Sequence, residues 1–419
     1  MKGRYPTRRT PKLDEDPKNL SARSGPLAGI RILAVSQFGA GPFATQNLVD
    51  LGAEVIKIED PSVGGDVARY IPPATNDADS LYFQSFNRGK KSIAIDFRKP
   101  EGTALFHRLV EKSDAVFNNL RGDLPEKLGL TYESLKTFNT AIVTCSLSGF
   151  GRTGPRASEP GYDPIMQAMA GYMSLTGEPE GPPGKAGVSI IDFAGGYAAA
   201  LGLVAALLEA KTTGKGRDVD VSLLDTAVSM LTYFGSWSLN SDWKPVRTAN
   251  SSHQTIVPAQ NFQTSDGWIS VFCAKEHFWE KFAELIEMPQ LISDERFASF
   301  AARFDNRKTL IPIISERLLQ KTNDEWLTRF RGIVPSGPVN SISEAFEDEQ
   351  IKARKLLVDV EHPTYGQIKQ VASPIATEGA NQASSPGPTL GQHTDEILTE
   401  LLSMDQIEIK ELRKRGAVH

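Results

Sequence analysis

Asp192 is the residue whose type and position most directly suggest chemistry. It follows the short apolar run 188–191 and precedes Phe193 and a long stretch of alanine, leucine and glycine. The pattern predicts a buried strand up to Asp192 and a helix of small residues after it. Burying a carboxylate without partners is costly, so Asp192 either caps this helix or takes part in catalysis. Aspartate ordinarily ionises far below neutral pH, so we expect a charged carboxylate in both cases.

Gly195 and Gly196 follow this aspartate within about one helical turn. Glycines at the positive end of a helix let backbone N–H groups approach an oxyanion, as acyl transfer requires. Glycines also let two helices pack closely, because they have no side chain. The sequence leaves both interpretations open.

A second pattern resembles a dinucleotide site. Residues 39–44 fit G-x-G-x-x-A between a predicted strand and a predicted helix, and Glu59 ends the next strand. This spacing is typical of folds that bind a ribose hydroxyl of NAD. However, Pro42 has no N–H for a pyrophosphate, and no Tyr-x-x-x-Lys or catalytic histidine pattern follows. Close packing of strand and helix in an open α/β sheet also explains the glycines, and these two features favour it over NAD binding.

Composition narrows the function classes. The chain has 419 residues, 40% hydrophobic and 23% charged, with a net charge of -5, so a general nucleic-acid binder is excluded. No apolar run suggests a membrane span. Cys145, Cys273 and six scattered histidines form no metal-binding spacing. We therefore predict buried, unreactive thiols, no metal site, and a cytoplasmic protein whose residues 1–24 form a flexible extension.

Strand and helix patterns alternate in the first half of the chain and predict parallel βαβ units. The predicted strands there are 30–35, 53–59, 92–96, 114–119 and 141–148, and the helices are 42–51 and 100–112. Later elements are a helix at 194–211, strands at 218–224 and 267–273, helices from there to about 330, and helices at 344–357 and 394–402. Residues 230–257 are predicted to be irregular.

Ten short segments, in this order, carry a resemblance to a known family. They are GPLAGIRIL (25–33), AGP (40–42), LGAEVIKIE (51–59), NRGKKSI (87–93), SGFG (148–151), GYD (161–163), TGEP (176–179), DFAGG (192–196), TGKG (213–216) and SGPV (336–339). Together they resemble the class III CoA-transferases, the family of formyl-CoA and carnitine-CoA transferases. The resemblance extends from about residue 25 to the C-terminus.

The resemblance implies an α/β fold with a Rossmann-like large domain and a smaller α+β domain, in a homodimer of interlocked rings. The large domain would begin with residues 25–210. Residues 211–335 would form a linker and the small domain, and residues 336–419 would return to complete the large domain.

The resemblance also assigns a role to Asp192, which matches the family's nucleophilic aspartate. Its carboxylate would attack an acyl-CoA thioester and then carry the CoA as an aspartyl thioester. Asp163 would support the acceptor or the intermediate. Tyr162 stands where related acyl-CoA racemases have a histidine, and a tyrosine is a poor proton shuttle near neutral pH. This difference favours transfer over racemisation.

Coenzyme A contacts carry over from the formyl-CoA transferase pattern. Cations are expected for the phosphates. The matching positions are Phe38, Ala40, Ile95, Arg98, Asn119, Leu120, Arg121 and Lys127. Gly39 and Asp60 depart from that pattern, replacing a glutamine and an arginine, and residues 250–260 lack its glycine tetrad. Specificity for formate and oxalate is therefore not expected.

The sequence predicts an acyl-CoA:carboxylate CoA-transferase that uses coenzyme A thioesters as substrates and needs no cofactor. Succinyl-CoA and a small organic acid are the expected substrates, because members of the family commonly use them. An acyl-CoA racemase is the first alternative, followed by an NAD-dependent oxidoreductase and a non-catalytic CoA-binding protein. No nucleic-acid or membrane partner is expected.

Overall fold

Thirteen strands are found in the described part of the chain. The structure is a computed structural model that describes residues 24–73, 75–76, 79–377 and 385–419. The strands are β1 (Arg31–Val35), β2 (Glu54–Glu59), β3 (Thr75–Asn76), β4 (Asp79–Ser80), β5 (Lys91–Ala94), β6 (Ala115–Asn118), β7 (Val143–Ser148), β8 (Asp218–Ser222), β9 (Ala259–Gln263), β10 (Trp268–Phe272), β11 (Ser336–Pro338), β12 (Leu357–His362) and β13 (Gly366–Val371).

Helices connect and cover these strands. They are α1 (Ala40–Asp50), α2 (Leu81–Asn87), α3 (Pro100–Val110), α4 (Leu124–Lys127), α5 (Tyr132–Leu135), α6 (Asp163–Met169), α7 (Ile190–Thr213), α8 (Leu223–Ser229), α9 (Thr232–Asn240), α10 (Glu276–Leu285), α11 (Gln290–Ser293), α12 (Phe300–Asp305), α13 (Arg307–Leu318), α14 (Asn323–Phe330), α15 (Ile342–Glu347), α16 (Glu349–Ala353), α17 (Thr394–Leu402) and α18 (Gln406–Lys414). Short 3₁₀ turns lie at Pro61–Val63, Val67–Tyr70, Tyr172–Ser174 and Ala249–Ser251.

Six strands form one parallel sheet in the order β5-β2-β1-β6-β7-β8. Leu33 of β1 pairs with Ile56 of β2 on one side and with Val116 of β6 on the other. After β1 the chain adds β2 and β5 on one side of the sheet, and then adds β6, β7 and β8 on the other side. The strand order therefore reverses between β1 and β6, and ligands of open α/β sheets bind at the carboxyl ends of the strands beside such a point. The predicted α/β class is confirmed.

Apolar side chains cover both faces of this sheet. On one face, Ala44 of α1 and Leu203 of α7 are buried with the sheet residues. On the other face, Leu105 of α3 packs with Leu398 and Ile409 of the two C-terminal helices. The C-terminal segment thus belongs to the large sheet. A third core lies between the antiparallel sheet β11-β10-β9 and helices α10, α13 and α14.

Several sequence-based boundaries were wrong. Residues 188–191 form no strand, because helix α7 already begins at Ile190. Helix α9 lies within 230–257, which was predicted to be irregular, and the predicted helix 344–357 is two short helices. Strand β8 belongs to the six-stranded sheet and lies within residues 211–335, which the sequence assigned to a linker and the small domain. Apart from Ser24, the predicted extension 1–24 lies outside the described residues.

Helix α7 corrects the expectation that no apolar run suggests a membrane span. Among the described residues it is the one helix long and apolar enough to cross a membrane by length and composition. It packs against α1, β7 and α8, and 50% of its most apolar 18-residue segment is buried in the molecule. These are the properties of a core helix with one uncovered face.

A buried ion pair fixes the loop that follows β1. The Lys57 ammonium lies 2.7 Å from the Asp66 carboxylate, and both side chains are fully buried. Lys57 also donates a hydrogen bond to the Ser36 carbonyl. Asp66 accepts a hydrogen bond of 2.9 Å from the Phe38 N–H and thereby holds Phe38 at a positive φ of 66°, which is unfavourable for a side-chain-bearing residue.

Lys57→Met is expected to lower the free energy of unfolding by about 3–5 kcal/mol, because it leaves the Asp66 charge buried without its partner. Lys281→Met breaks an exposed ion pair with Glu284 and should cost less than about 1 kcal/mol. Chemical denaturation of both variants measures the difference. Equal stability of the two variants would contradict a structural role for the Lys57–Asp66 pair.

Candidate active site

The largest group of predicted site residues meets in one cavity at the carboxyl ends of β1, β6 and β7. Its volume is about 360 Å³. It is lined by Gln37, Phe38, Gly39, Ala40, Val67, Asn119, Leu120, Arg121, Leu124, Leu147, Ser148, Gly149, Pro160, Gly161, Tyr162, Asp192 and Leu223. The cavity therefore lies beside the point where the strand order of the sheet reverses.

Asp192 lies in the wall of this cavity, in the first turn of α7. Its residue is only 8% exposed, and no described residue donates a hydrogen bond to its carboxylate. Burial and the negative charge of Asp163 raise the pKa of Asp192 to about 7. The expectation of a fully charged carboxylate was therefore wrong, because the prediction ignored both the burial and this neighbouring acid.

Asp163 performs the capping role considered for Asp192. Its buried carboxylate accepts hydrogen bonds from the N–H groups of Ile191, at 2.7 Å, and Asp192, at 3.3 Å. The Gln167 amide donates to the other oxygen of Asp163. Two of the free N–H groups at the start of α7 are thus satisfied from a different helix, and the Asp192 side chain is not used as a cap. The Asp192 carboxylate remains available for a ligand.

Gly195 and Gly196 allow close packing. A Cβ on Gly195 would lie 2.7 Å from the side chain of Leu223, and one on Gly196 would lie 2.8 Å from the ring of Phe43. Both residues lie beyond the first four positions of α7, so their N–H groups bond within the helix. The oxyanion contact expected from these glycines does not fit the geometry.

The loop 36–38 forms one rim of the cavity and is held by side chains from other elements. The Asn119 amide accepts from the Gln37 N–H and donates to the Gln37 carbonyl, both at 2.8 Å. Gly41 packs under this amide, because a Cβ there would lie 2.7 Å from the Asn119 side chain. Together with the Lys57–Asp66 pair, these bonds make the rim rigid.

The structure brings five of the eight predicted CoA contacts to the cavity: Phe38, Ala40, Asn119, Leu120 and Arg121. Ile95 is fully buried in the core beside Val418, so its side chain is closed to a ligand. Arg98 and Lys127 do not line the cavity. Their exposed side chains form ion pairs with Asp96 and Asp123, and Arg121 pairs with Asp123 as well.

The dinucleotide interpretation fails at Glu59. Its carboxylate accepts hydrogen bonds from the Arg69 guanidinium, at 2.6 and 3.0 Å, and from the Ser92 hydroxyl, at 2.7 Å. The residue is only 3% exposed. Glu59 is therefore a structural carboxylate that cannot reach a ribose. No cluster of metal-ligating side chains is found among the described residues.

Sequence reasoning missed Tyr82, a half-buried residue of α2 near Asp192. Burial and the charges of Asp192 and Asp66 raise the pKa of Tyr82 to about 12. It also missed Gln37, Ser148 and Gly149, which line the cavity. The rule that ligands meet the carboxyl ends of strands would have found these last three, since they follow or end β1 and β7.

The fold and the cavity define an α/β protein with a buried carboxylate, that of Asp192, in the wall of a cavity at the carboxyl ends of the parallel strands. The sequence profile of CoA-transferase family III matches residues 27–394. A succinate–glutarate CoA-transferase of Agrobacterium fabrum is 38% identical over 391 residues, 92% of this chain and 98% of that protein. A Homo sapiens succinyl-CoA:glutarate CoA-transferase is 37% identical over 396 residues, 94% of this chain and 90% of that protein.

Comparison with solved structures agrees with these sequence matches. The crystal structure of a CAIB/BAIF family protein from Brucella suis matches with a TM-score of 0.79 and 37% identity, covering 90% of this chain and 100% of that one. The chain belongs to CoA-transferase family III, as the ten sequence segments predicted. It is therefore an enzyme that transfers CoA.

Asp163→Asn should shift the pH dependence of turnover. In the unchanged enzyme, kcat/KM for the acyl-CoA should rise with pH around a midpoint of about 7, as Asp192 ionises. Removing the Asp163 charge lowers the pKa of Asp192 and moves that midpoint to lower pH. Asp225→Asn, at an exposed carboxylate of α8, is the control and should leave the midpoint unchanged. An unshifted Asp163→Asn profile would contradict this coupling.

Proposed function

We propose that the enzyme transfers CoA between succinyl-CoA and a small dicarboxylate, with Asp192 as the covalent carrier. The observation that supports this most strongly is the carboxylate of Asp192, which lies in the cavity wall without a hydrogen-bond partner among the described residues. Succinyl-CoA and glutarate are suggested by the names of the similar enzymes. The chemistry uses only the carboxylate and the substrates, so we propose no resident cofactor.

The proposed reaction has two halves. An oxygen of Asp192 attacks the thioester carbonyl carbon, and the carbon–sulfur bond breaks to give an aspartyl acyl anhydride and CoA thiolate. The thiolate then attacks the aspartyl carbonyl, releases the donor acid and leaves an aspartyl-CoA thioester. The acceptor carboxylate repeats both steps in reverse. No net proton is gained or lost between the ionised species.

The surroundings of Asp192 fit this role. A carboxylate is a modest nucleophile, and the raised pKa of Asp192 makes it a more basic one than an exposed aspartate. Binding of the long CoA chain along Phe38, Ala40, Leu120 and Arg121 would orient the thioester and lower the activation barrier further. Positioning of reactants can lower a barrier by up to about 7–11 kcal/mol. Asp163 positions Asp192 through its backbone.

Tyr162 supports transfer over racemisation. It lines the cavity, is 57% exposed, and packs edge-on against Phe38 with ring centroids 6.0 Å apart. A racemase needs an acid and a base that exchange a proton at the carbon next to the carbonyl. Related acyl-CoA racemases have a histidine for this exchange at the position that Tyr162 occupies here.

A cytoplasmic homodimer of interlocked rings is part of the proposal. The uncovered face of α7 supports a second copy, because Leu201 and Leu208 are 72% and 69% exposed and lie seven residues apart on one side of the helix. An apolar face of this kind is typical of an interface between subunits. Light scattering that gives the mass of a monomer would contradict the dimer.

Asp192→Asn is expected to lower turnover by at least about 10³-fold, because an amide cannot act as the carrier. Incubation of the unchanged enzyme with succinyl-CoA and hydroxylamine should convert Asp192 to a hydroxamate, which peptide mass spectrometry detects. Asp163→Asn should still form this adduct and is the matched control. Absence of the hydroxamate in the active, unchanged enzyme would rule out the covalent mechanism.

The acceptor preference can be measured with succinyl-CoA as the donor and a series of acids. We expect the highest kcat/KM with glutarate and other short dicarboxylates, and at least about tenfold lower values with monocarboxylates of equal length, which lack the second charged group. CoA transfer followed by liquid chromatography measures each rate. Transfer to monocarboxylates alone would contradict the proposed substrate class.

A further inference from the structure

Tyr82 is held rigidly near the candidate nucleophile. It lies in the first turn of α2, whose start is capped by the Ser80 hydroxyl, which accepts from the Phe83 N–H. The Tyr82 ring packs between the rings of Phe38 and Phe86, with centroid distances of 5.3 Å to each. These contacts fix the direction in which the hydroxyl group points.

Gly39 leaves a gap between the Tyr82 hydroxyl and Asp192. The position that a Cβ would take on Gly39 lies 3.2 Å from the Tyr82 oxygen and 3.5 Å from Oδ2 of Asp192. One atom-sized site is thus within reach of both groups. A reacting carbonyl needs this arrangement, with its carbon close to the nucleophile and its oxygen close to a hydrogen-bond donor.

The Tyr82 hydroxyl is suited to donate into this gap. No described residue forms a hydrogen bond with it, and its raised pKa keeps it protonated across the physiological range. The N–H groups of Gly195 and Gly196 bond within α7 and cannot serve. A neutral donor beside a buried carboxylate stabilises negative charge as it develops on a substrate.

We propose that Tyr82 is a catalytic residue whose hydroxyl donates a hydrogen bond to the carbonyl oxygen of the thioester that Asp192 attacks. This inference rests on the proposed covalent role of Asp192. Oδ2 of Asp192 forms a bond to the carbonyl carbon, and the carbonyl π pair moves to oxygen as an oxyanion. The Tyr82 proton stays on its own oxygen. The oxyanion then collapses, the carbon–oxygen double bond reforms, and the sulfur leaves as CoA thiolate.

Tyr82→Phe tests the hydroxyl alone, because the ring and its packing are kept. In a single turnover with succinyl-CoA, the rate of aspartyl adduct formation should fall about 10²–10³-fold, the usual effect of losing one oxyanion donor. The thermal midpoint should stay close to that of the unchanged enzyme. Tyr172→Phe is the matched control. It loses a hydroxyl that donates to the Ala227 carbonyl and should keep the unchanged rate.

Infrared spectroscopy separates a catalytic contact from a structural one. With Asp192→Asn, which cannot react, bound succinyl-CoA should show a thioester carbonyl stretch at lower frequency than in water, because the oxygen accepts a hydrogen bond. Adding Tyr82→Phe should return the band toward the frequency of a carbonyl without a strong donor.

Gly39→Ala tests the gap itself. The backbone at Gly39 has φ −107°, which alanine tolerates, so the variant should fold. Its methyl group would occupy the site of the reacting carbonyl and should slow adduct formation at least about tenfold, by displacing that carbonyl from its attack position.

The outcomes distinguish the two proposals. If the unchanged enzyme transfers CoA but forms no adduct at Asp192, the covalent role fails. If the adduct forms at the same rate in Tyr82→Phe, or the carbonyl band does not move, the role of Tyr82 is overturned and that of Asp192 stands.

Discussion

The hydrogen bonds from the start of α7 to the Asp163 carboxylate determine how this site is built. A helix that begins inside a protein must have its free N–H groups satisfied. Asp163 accepts two of them, from Ile191 and Asp192. The side chain of Asp192 is therefore not needed as a helix cap. Burial and the negative charge of Asp163 raise the pKa of Asp192. One buried carboxylate thus both positions a second one and makes it more basic.

The sheet and its loops provide the rest of the geometry. The reversal of strand order between β1 and β6 leaves a crevice, and buried polar side chains close its rim. Lys57 and Asp66 hold the loop after β1, and this loop places Gly39 opposite Asp192. Asp192 and the loop that faces it are therefore fixed by separate sets of contacts within the protein itself.

The sequence predicted those features that depend on local pattern. The β1–α1 unit, the parallel sheet and the family could all be recognised from short segments and their order, and the same segments singled out Asp192 as the candidate nucleophile. The start of α7 was misplaced because its cap comes from Asp163, far upstream in the chain. Tyr82 was missed because only the folded chain brings α2 to α7. Arg98 and Lys127 lie outside the cavity, and their acidic partners, Asp96 and Asp123, lie within four residues of them.

Beyond the last residue pair of β1 and β6, the side-chain amide of Asn119 forms two further hydrogen bonds with the backbone of Gln37. A side chain thus continues the hydrogen bonding of the two strands. An aspartate there would repel the Gln37 carbonyl, and a glutamine would be one carbon too long. The Asn119 amide therefore matches this position both in length and in its pattern of hydrogen bonds. A substitution at Asn119 would therefore release the loop that places Phe38 and Gly39 in the cavity wall.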